Sequence, residues 1–379
     1  MALDRALLAE KLIKYRNQFQ LTIGEVFYAT GIDEKLLTAY ENQEKVPTGD
    51  EILILSDYYK CDYKFFISNE KLTPFEQTET LFRRYGKEFS KEDRWSIQEF
   101  LFLAECESYL IQNLHNIPRK IFKYSKKSHN HKINGINASK ELRKFLKYAP
   151  NQVPLNIYKD FRSIDIKAYR RKLSNSNISG LYIRHPLAGK CILINYSEDI
   201  YRQRFTAAHE AAHAILDDDE EDVIVSFKGE TNYIEVGANN FASHYLLPPE
   251  FLQQIPECHS WDTDKALLWA SKLKVSTKAL AYALKNSKLI DVGTEKTIKS
   301  VRVNRHLKSD PELSEDLSPN TKIRKKFLLE RGLSSYYVNL CFEAYRANII
   351  TAPRMAEMLL VEQNELFEIA DLYGEVDSV

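Results

Sequence analysis

The chain reads as α+β and mostly helical, on three observations. Apolar residues recur at helical spacing through both ends of its 379 residues. Two short β-rich runs, SGLYIRHP (179–186) and GKCILINY (189–196), stand together near the middle. An alanine-rich helical stretch, RFTAAHEAAHAIL (204–216), follows directly. Single hydrophobic cores stop growing at roughly 250 residues, so several units are expected. These are a helical domain at 1–68, a helical connector at 72–150, an α+β domain with a small sheet at 151–290, and a C-terminal helical unit at 291–379. Hydrophobic residues at 44% and charged residues at 28% suit a soluble globular protein. Lys+Arg and Asp+Glu both number 53, which argues against a dedicated nucleic-acid or membrane-surface protein. The five cysteines are scattered and never spaced C-x-x-C, the N-terminus lacks a signal-peptide pattern, and no apolar run approaches the roughly 20 residues of a membrane span. A cytoplasmic protein with reduced thiols and no membrane contact is expected.

Residues 1–68 divide into short helices, with Thr22 and Asp33 where N-caps belong. The order resembles the helix-turn-helix domain of the Xre family in Thr22, in Gly31-Ile32, and in Tyr40-Glu41 ahead of Pro47. It departs at Ile23, where that family usually has a DNA-contacting glutamine, and at Gln43, where it usually has glycine. This segment carries 8 Lys/Arg against 11 Asp/Glu, a net of −3, and the would-be recognition helix opens with Asp33 and Glu34. DNA binding requires phosphate neutralisation, so docking to protein is favoured over DNA. Leu72 to Leu114 is patterned as a connecting helical pair. Residues 119–148 hold ten Lys/Arg and one acid, Glu141, with Tyr124, His129 and His131 interleaved. They read as a solvated linker in preference to a nucleic-acid patch.

The β-rich runs predict a hairpin, and its strand Lys190-Cys191-Ile192-Leu193-Ile194-Asn195 is the candidate edge on which an extended substrate would pair. In the helix that follows, His209 and His213 are four residues apart and project from one face, where their imidazoles can share a metal. Glu210 flanks that position. Zinc in such an H-E-x-x-H site lowers the pKa of its water to about 7 and polarises a carbonyl, while the glutamate serves as base. A catalytic zinc usually takes three protein ligands. In IEVGANNFASHYLL, the next helical stretch, Glu235 is the only acid and Asn239 lies one turn on, placed to support it. His244 is the rival ligand, but nine residues place it about 180° around the helix from Glu235. The acidic run 217–222 reads as a solvated loop that stops the metal helix.

Together, F-T-A-A-H-E-A-A-H and E-V-G-A-N-N-F-A-S-H-Y-L-L-P resemble the ImmA/IrrE family of metallopeptidases, as does the hairpin ahead of them. AYRANIITAPRMAEMLL (344–360) is similar to the family's C-terminal helical tail. The resemblance implies a gluzincin-like fold, Zn²⁺ on His209, His213 and Glu235, and Glu210 as base. It further implies cleavage of a protein substrate, a repressor encoded nearby, in a stress, prophage or toxin–antitoxin response. Ala211-Ala212 departs from the bulkier residue and glycine of many members. Tyr196, His185 and Tyr245 are the candidates for a transition-state donor. The competing reading is a DNA-binding regulator or toxin–antitoxin component whose peptidase domain only senses or docks. An intact Glu210, which a metal sensor does not need, favours the enzyme.

Overall fold

The computed structural model describes residues 3–69, 76–114, 121–217, 222–229, 233–313 and 316–375. Five short helices open it: α1 (Arg5–Gln18), α2 (Ile23–Thr30), α3 (Glu34–Glu41), α4 (Gly49–Tyr58) and α5 (Tyr63–Ile67). Thr22 caps α2 in a reciprocal capping box with Glu25, and Asp33 caps α3. Gln43, where the Xre resemblance predicts glycine, sits at φ 68°, a conformation uncommon for residues with a side chain. Tyr15, Phe19, Val26, Leu37 and Phe66 lie in the bundle's core. Two further helices, α6 (Glu76–Tyr85) and α7 (Lys91–Leu114), follow. Trp95 of α7 stacks on Phe19 with ring centroids 4.0 Å apart, fastening the bundle to the rest of the chain. The start of the expected helical pair at Leu72, and Arg119 and Lys120 of the basic stretch, lie outside the described residues.

After α8 (His131–Phe145) and α9 (Ile157–Ser163) come β1 (Ile166–Arg171), β2 (Ile178–His185) and β3 (Gly189–Asn195), then α10 (Ile200–Leu216), β4 (Val223–Phe227) and α11 (Tyr233–Leu246). The four strands form one sheet in the order β1-β3-β2-β4. β2 and β3 make the expected hairpin, with His185 opposite Gly189. β1, which lacks a clear alternating pattern, pairs in parallel with β3 from Ile166 opposite Lys190 to Arg171 opposite Asn195. β3 is therefore interior, and the expectation that Lys190 to Asn195 offer an open edge is corrected. The two edges among the described residues are β1 and β4.

Side chains alternate across a strand, and here both faces are covered. Ile192 and Ile194 pack with Ala207, Ala208 and Ala211 of α10, whereas Leu181, Cys191 and Leu193 join Phe100 and Leu101 of α7. That two-sided burial explains why β3 reads as a continuous apolar run. The first face is completed by α12 (Pro249–Leu252), α13 (Thr263–Lys272), α14 (Thr277–Asn286) and α15 (Val292–Ser300), and the second by α16 (Pro319–Glu330), α17 (Ser335–Arg346), α18 (Ala352–Met358) and α19 (Leu366–Tyr373). The segment 291–379 is thus not a separate unit. Ile298 shares a core with Leu280 and Leu284, while Tyr337, Phe342 and Met355 share one with Leu181 and Leu193.

The basic stretch is likewise more than a solvated linker. α8 lies against α11 so closely that a Cβ on Gly135 would come 2.1 Å from the carbonyl oxygen of Gly237. Only glycine permits that crossing. No described helix is long and apolar enough to cross a membrane.

Candidate metal centre

The helix carrying the two histidines is buried all round, as an alanine-rich sequence allows. Asp199 caps its start by accepting from the Tyr201 amide at 3.0 Å. Arg204, fully buried, donates to the carbonyls of Pro154 and Leu155 and fixes the helix's rotation. Thr206 donates to Glu198 Oε2 at 3.1 Å. At the far end Lys190 reaches from β3 to the Ala214 carbonyl at 2.6 Å, meeting the otherwise unbonded end of the helix.

On this frame His209, His213 and Glu235 converge. His209 Nε2 lies 2.9 Å from Glu235 Oε2, His213 Nε2 lies 3.4 Å from Glu235 Oε1, and the two Nε2 atoms are 3.2 Å apart. Donors each about 2.0–2.1 Å from one tetrahedral ion stand roughly 3.3 Å from one another, so the three groups are spaced as ligands of a shared metal. All three are buried. Burial would lower the pKa of His213, but its bonds to Asp217 and Glu235 push it up to about 10. Burial would raise Glu235, yet the two histidines hold its carboxyl far below the usual carboxylate range. A buried set of acceptors this eager for positive charge suits a cation.

Glu210 projects beside them, completely buried, with no hydrogen-bond partner for either carboxylate oxygen. Burial raises its pKa, against the lowering effect of His209 and His213. Gly180 of β2 makes room for it, because a Cβ there would sit 2.9 Å from both Glu210 Cγ and Oε1. Ser226, opposite Gly180 on β4, faces Glu210 closely enough to lower its pKa without reaching hydrogen-bonding geometry. An orphaned buried carboxylate next to a metal-shaped triad fits zinc with a water molecule to deprotonate.

The supporting residue is not the expected one. No hydrogen bond joins Asn239 to Glu235 or to either histidine. Asp217, read from sequence as the start of a solvated acidic loop, is instead 2% exposed and bonds His213 Nδ1 at 2.9 Å. Lys126 of the basic stretch approaches the other Asp217 oxygen at 3.5 Å. The i+4 spacing from His213 to Asp217, the same as from His209 to His213, is the signal that could have found it. Residues 218–221 of that run lie outside the described residues. His244 bonds the Asn240 carbonyl at 2.9 Å and is not among the triad. The donor candidates are held elsewhere. His185 Nε2 pairs with Glu105 of α7 at 3.0 Å, the Tyr245 hydroxyl donates to Asp160 at 2.8 Å, and the Tyr196 ring lies under Arg170. The β3 residues serve the core, where the Asn195 side chain binds the Leu173 amide and the Ile178 carbonyl.

The family model of peptidase M78, the IrrE N-terminal-like domain, matches residues 161–285, from within α9 to the end of α14. That span contains the sheet, the histidine helix and Glu235. The match supports a relationship to the ImmA/IrrE family and a metallopeptidase type of activity, with the metal that such chemistry requires. A search of curated proteins found no match to the chain.

Proposed function

We propose that the protein is a zinc endopeptidase that makes one site-specific cut in a partner regulator, an Xre-type repressor encoded nearby. The observation that carries this is Glu210, an unpartnered, fully buried carboxylate beside a triad spaced for a metal. His209, His213 and Glu235 would hold the zinc, which when bound acidifies a water molecule and polarises a carbonyl. Glu210 takes up a proton from the attacking water and returns it to the leaving amine, a task suited to a carboxyl whose pKa burial has raised. Asp217 fixes the His213 ring by accepting from Nδ1, which leaves Nε2 free to ligate. The open edge nearest Glu210 is β4, which pairs only with β2 among the described residues. An extended substrate segment would add to it through main-chain hydrogen bonds. The first turn of α3, with Asp33 and Glu34, makes residues 1–68 a module for docking protein in preference to DNA.

Elemental analysis tests the centre. Protein purified without chelators is expected to hold one zinc per chain, lost on His209→Ala or His213→Ala. Wild-type protein free of metal would overturn the proposal.

A further inference from the structure

Where β4 ends, a groove of about 910 Å³ opens between the N-terminal bundle, the turn after α6 and the sheet. Five cations line it, Arg83, Arg84, Lys87, Arg94 and Lys228, against one acid, Glu88. Two of the five hold the walls together. Arg94 donates to the carbonyls of Gln18 and Gly86 at 2.7 and 2.9 Å, and Lys228 donates to the carbonyl of Ser176. Arg83, Arg84 and Lys87 are exposed, three cations within five residues. Cations at the end of α6 would complement its dipole, but that does not account for Lys228, which comes from the sheet side. Tyr85 packs on Phe227 with ring centroids 5.7 Å apart and so sets this cationic turn against the end of β4.

We infer that the groove is a specificity site for an acidic segment of the protein substrate, an inference that rests on the peptidase reading above. β4 carries the argument. Ser226 faces Glu210, Phe227 follows it, and Lys228 already lines the groove. A strand advances about 3.3 Å per residue, so a peptide paired with β4 at Glu210 sets its side chains over Arg83, Arg84 and Lys87 two to three residues from the scissile bond. Aspartates or glutamates there meet complementary charge at the mouth of the site. A peptide suits the groove better than duplex DNA does. It continues a strand edge, and one wall comes from residues 1–68, whose net charge of −3 repels phosphates.

The test is fluorescence anisotropy with the full-length Glu210→Gln protein, zinc-loaded. The probe is a labelled extended peptide rich in glutamate, compared with its glutamine counterpart. A few exposed ion pairs predict about tenfold tighter binding of the acidic peptide at low salt, a preference that shrinks as salt is added. Arg83→Glu combined with Arg84→Glu and Lys87→Glu is expected to abolish or reverse the preference, and the triple glutamine variant to reduce it in the same direction should the first fail to fold. Equal binding of the two peptides, or a preference that survives charge reversal, would overturn the inference. So would duplex DNA that displaces the peptide and binds more tightly. None of these readouts requires cleavage, so a chain without metal sinks the peptidase reading alone, while a lost acid preference sinks the groove alone.

Discussion

Two buried clusters of charge lie on opposite sides of α10's first turns, and they are built on different principles. In one, Arg170 holds Asp310 through two bonds, of 2.7 and 2.9 Å, and Glu312 at 2.7 Å, while Arg162 takes the other Glu312 oxygen at 3.2 Å. Two cations meet two anions, and the cluster ties residues 310–312 to β1 and α9. In the other, Glu210, Glu235 and Asp217 meet only two histidines, and Glu210 bonds nothing. A buried cluster balanced by its own side chains fixes structure, whereas one left short of positive charge marks the place of an external cation and of reactivity.

Breaking the unbalanced cluster at its orphan is expected to give the largest effect. Glu210→Gln should keep zinc, because the amide removes no ligand, and lose turnover by about 10²–10⁴-fold. Single-turnover cleavage of a peptide substrate, beside metal analysis of the same preparation, checks both halves. Cleavage at the wild-type rate would remove Glu210 from the chemistry.

The balanced cluster should respond in stability instead. Arg170→Met strands Asp310 and Glu312 in a buried setting, and removing one partner of such a pair costs about 3–5 kcal/mol. Urea denaturation would read this, with zinc content per folded chain unchanged. Replacing Arg170, Asp310 and Glu312 together by apolar residues of similar volume is expected to cost less than the single change, since no charge is left behind. Equal losses would mean that the arginine acts through packing on Tyr158 and Tyr196, its ring neighbours.

Asp217→Asn sharpens the contrast from within the metal centre. The amide keeps the side chain's shape but removes the charge that holds His213, and partners of ligating histidines are worth about 10–100-fold in metal affinity. Competition with a chromogenic chelator measures that loss directly. Asn239→Ala, by contrast, is expected to leave the affinity unchanged, because Asn239 bonds none of the ligands. An Asn239 effect larger than the Asp217 effect would restore the residue that the sequence suggested.

That pair shows what was legible beforehand. His209, Glu210 and His213 announce themselves through spacing within one helix, and Glu235 through being the only acid on the next. The hairpin was readable because each strand carries its own apolar run. β1 was not, since Lys167, Arg170 and Arg171 are buried and the strand does not alternate. Missing β1 left β3 looking like an edge. Asp217 was obscured by its acidic neighbours, and burial is a property of the fold that no run of like charges discloses. Gly135 and Gly237 sit in helices as isolated glycines, and their role is visible only once the two helices cross. The C-terminal helices were recognisable as helices, but their place on the second face of the sheet depends on contacts far apart in sequence, such as Tyr337 with Tyr169.

The smallest expected effect is in how stability varies with pH, and it separates the two clusters without a metal assay. Burial alone would raise the carboxyl of Glu312, but Arg170 and Arg162 outweigh it and hold its pKa below the ordinary value. A carboxyl whose pKa is depressed on folding contributes stability that is present above its unfolded pKa, about 4.3, and is lost as pH falls through the folded value. Arg170→Met removes the larger of the two opposing charges. The stability gap between wild type and Arg170→Met should therefore be widest near neutrality and narrow as pH falls below about 4, because a protonated Glu312 no longer needs its partner. Urea midpoints for both proteins across that range, measured without zinc so that the metal centre contributes equally to each, give the comparison. A gap that stays constant from neutral to acid pH would mean that Arg170 stabilises the strap by its hydrogen bonds and ring contacts, not by balancing charge.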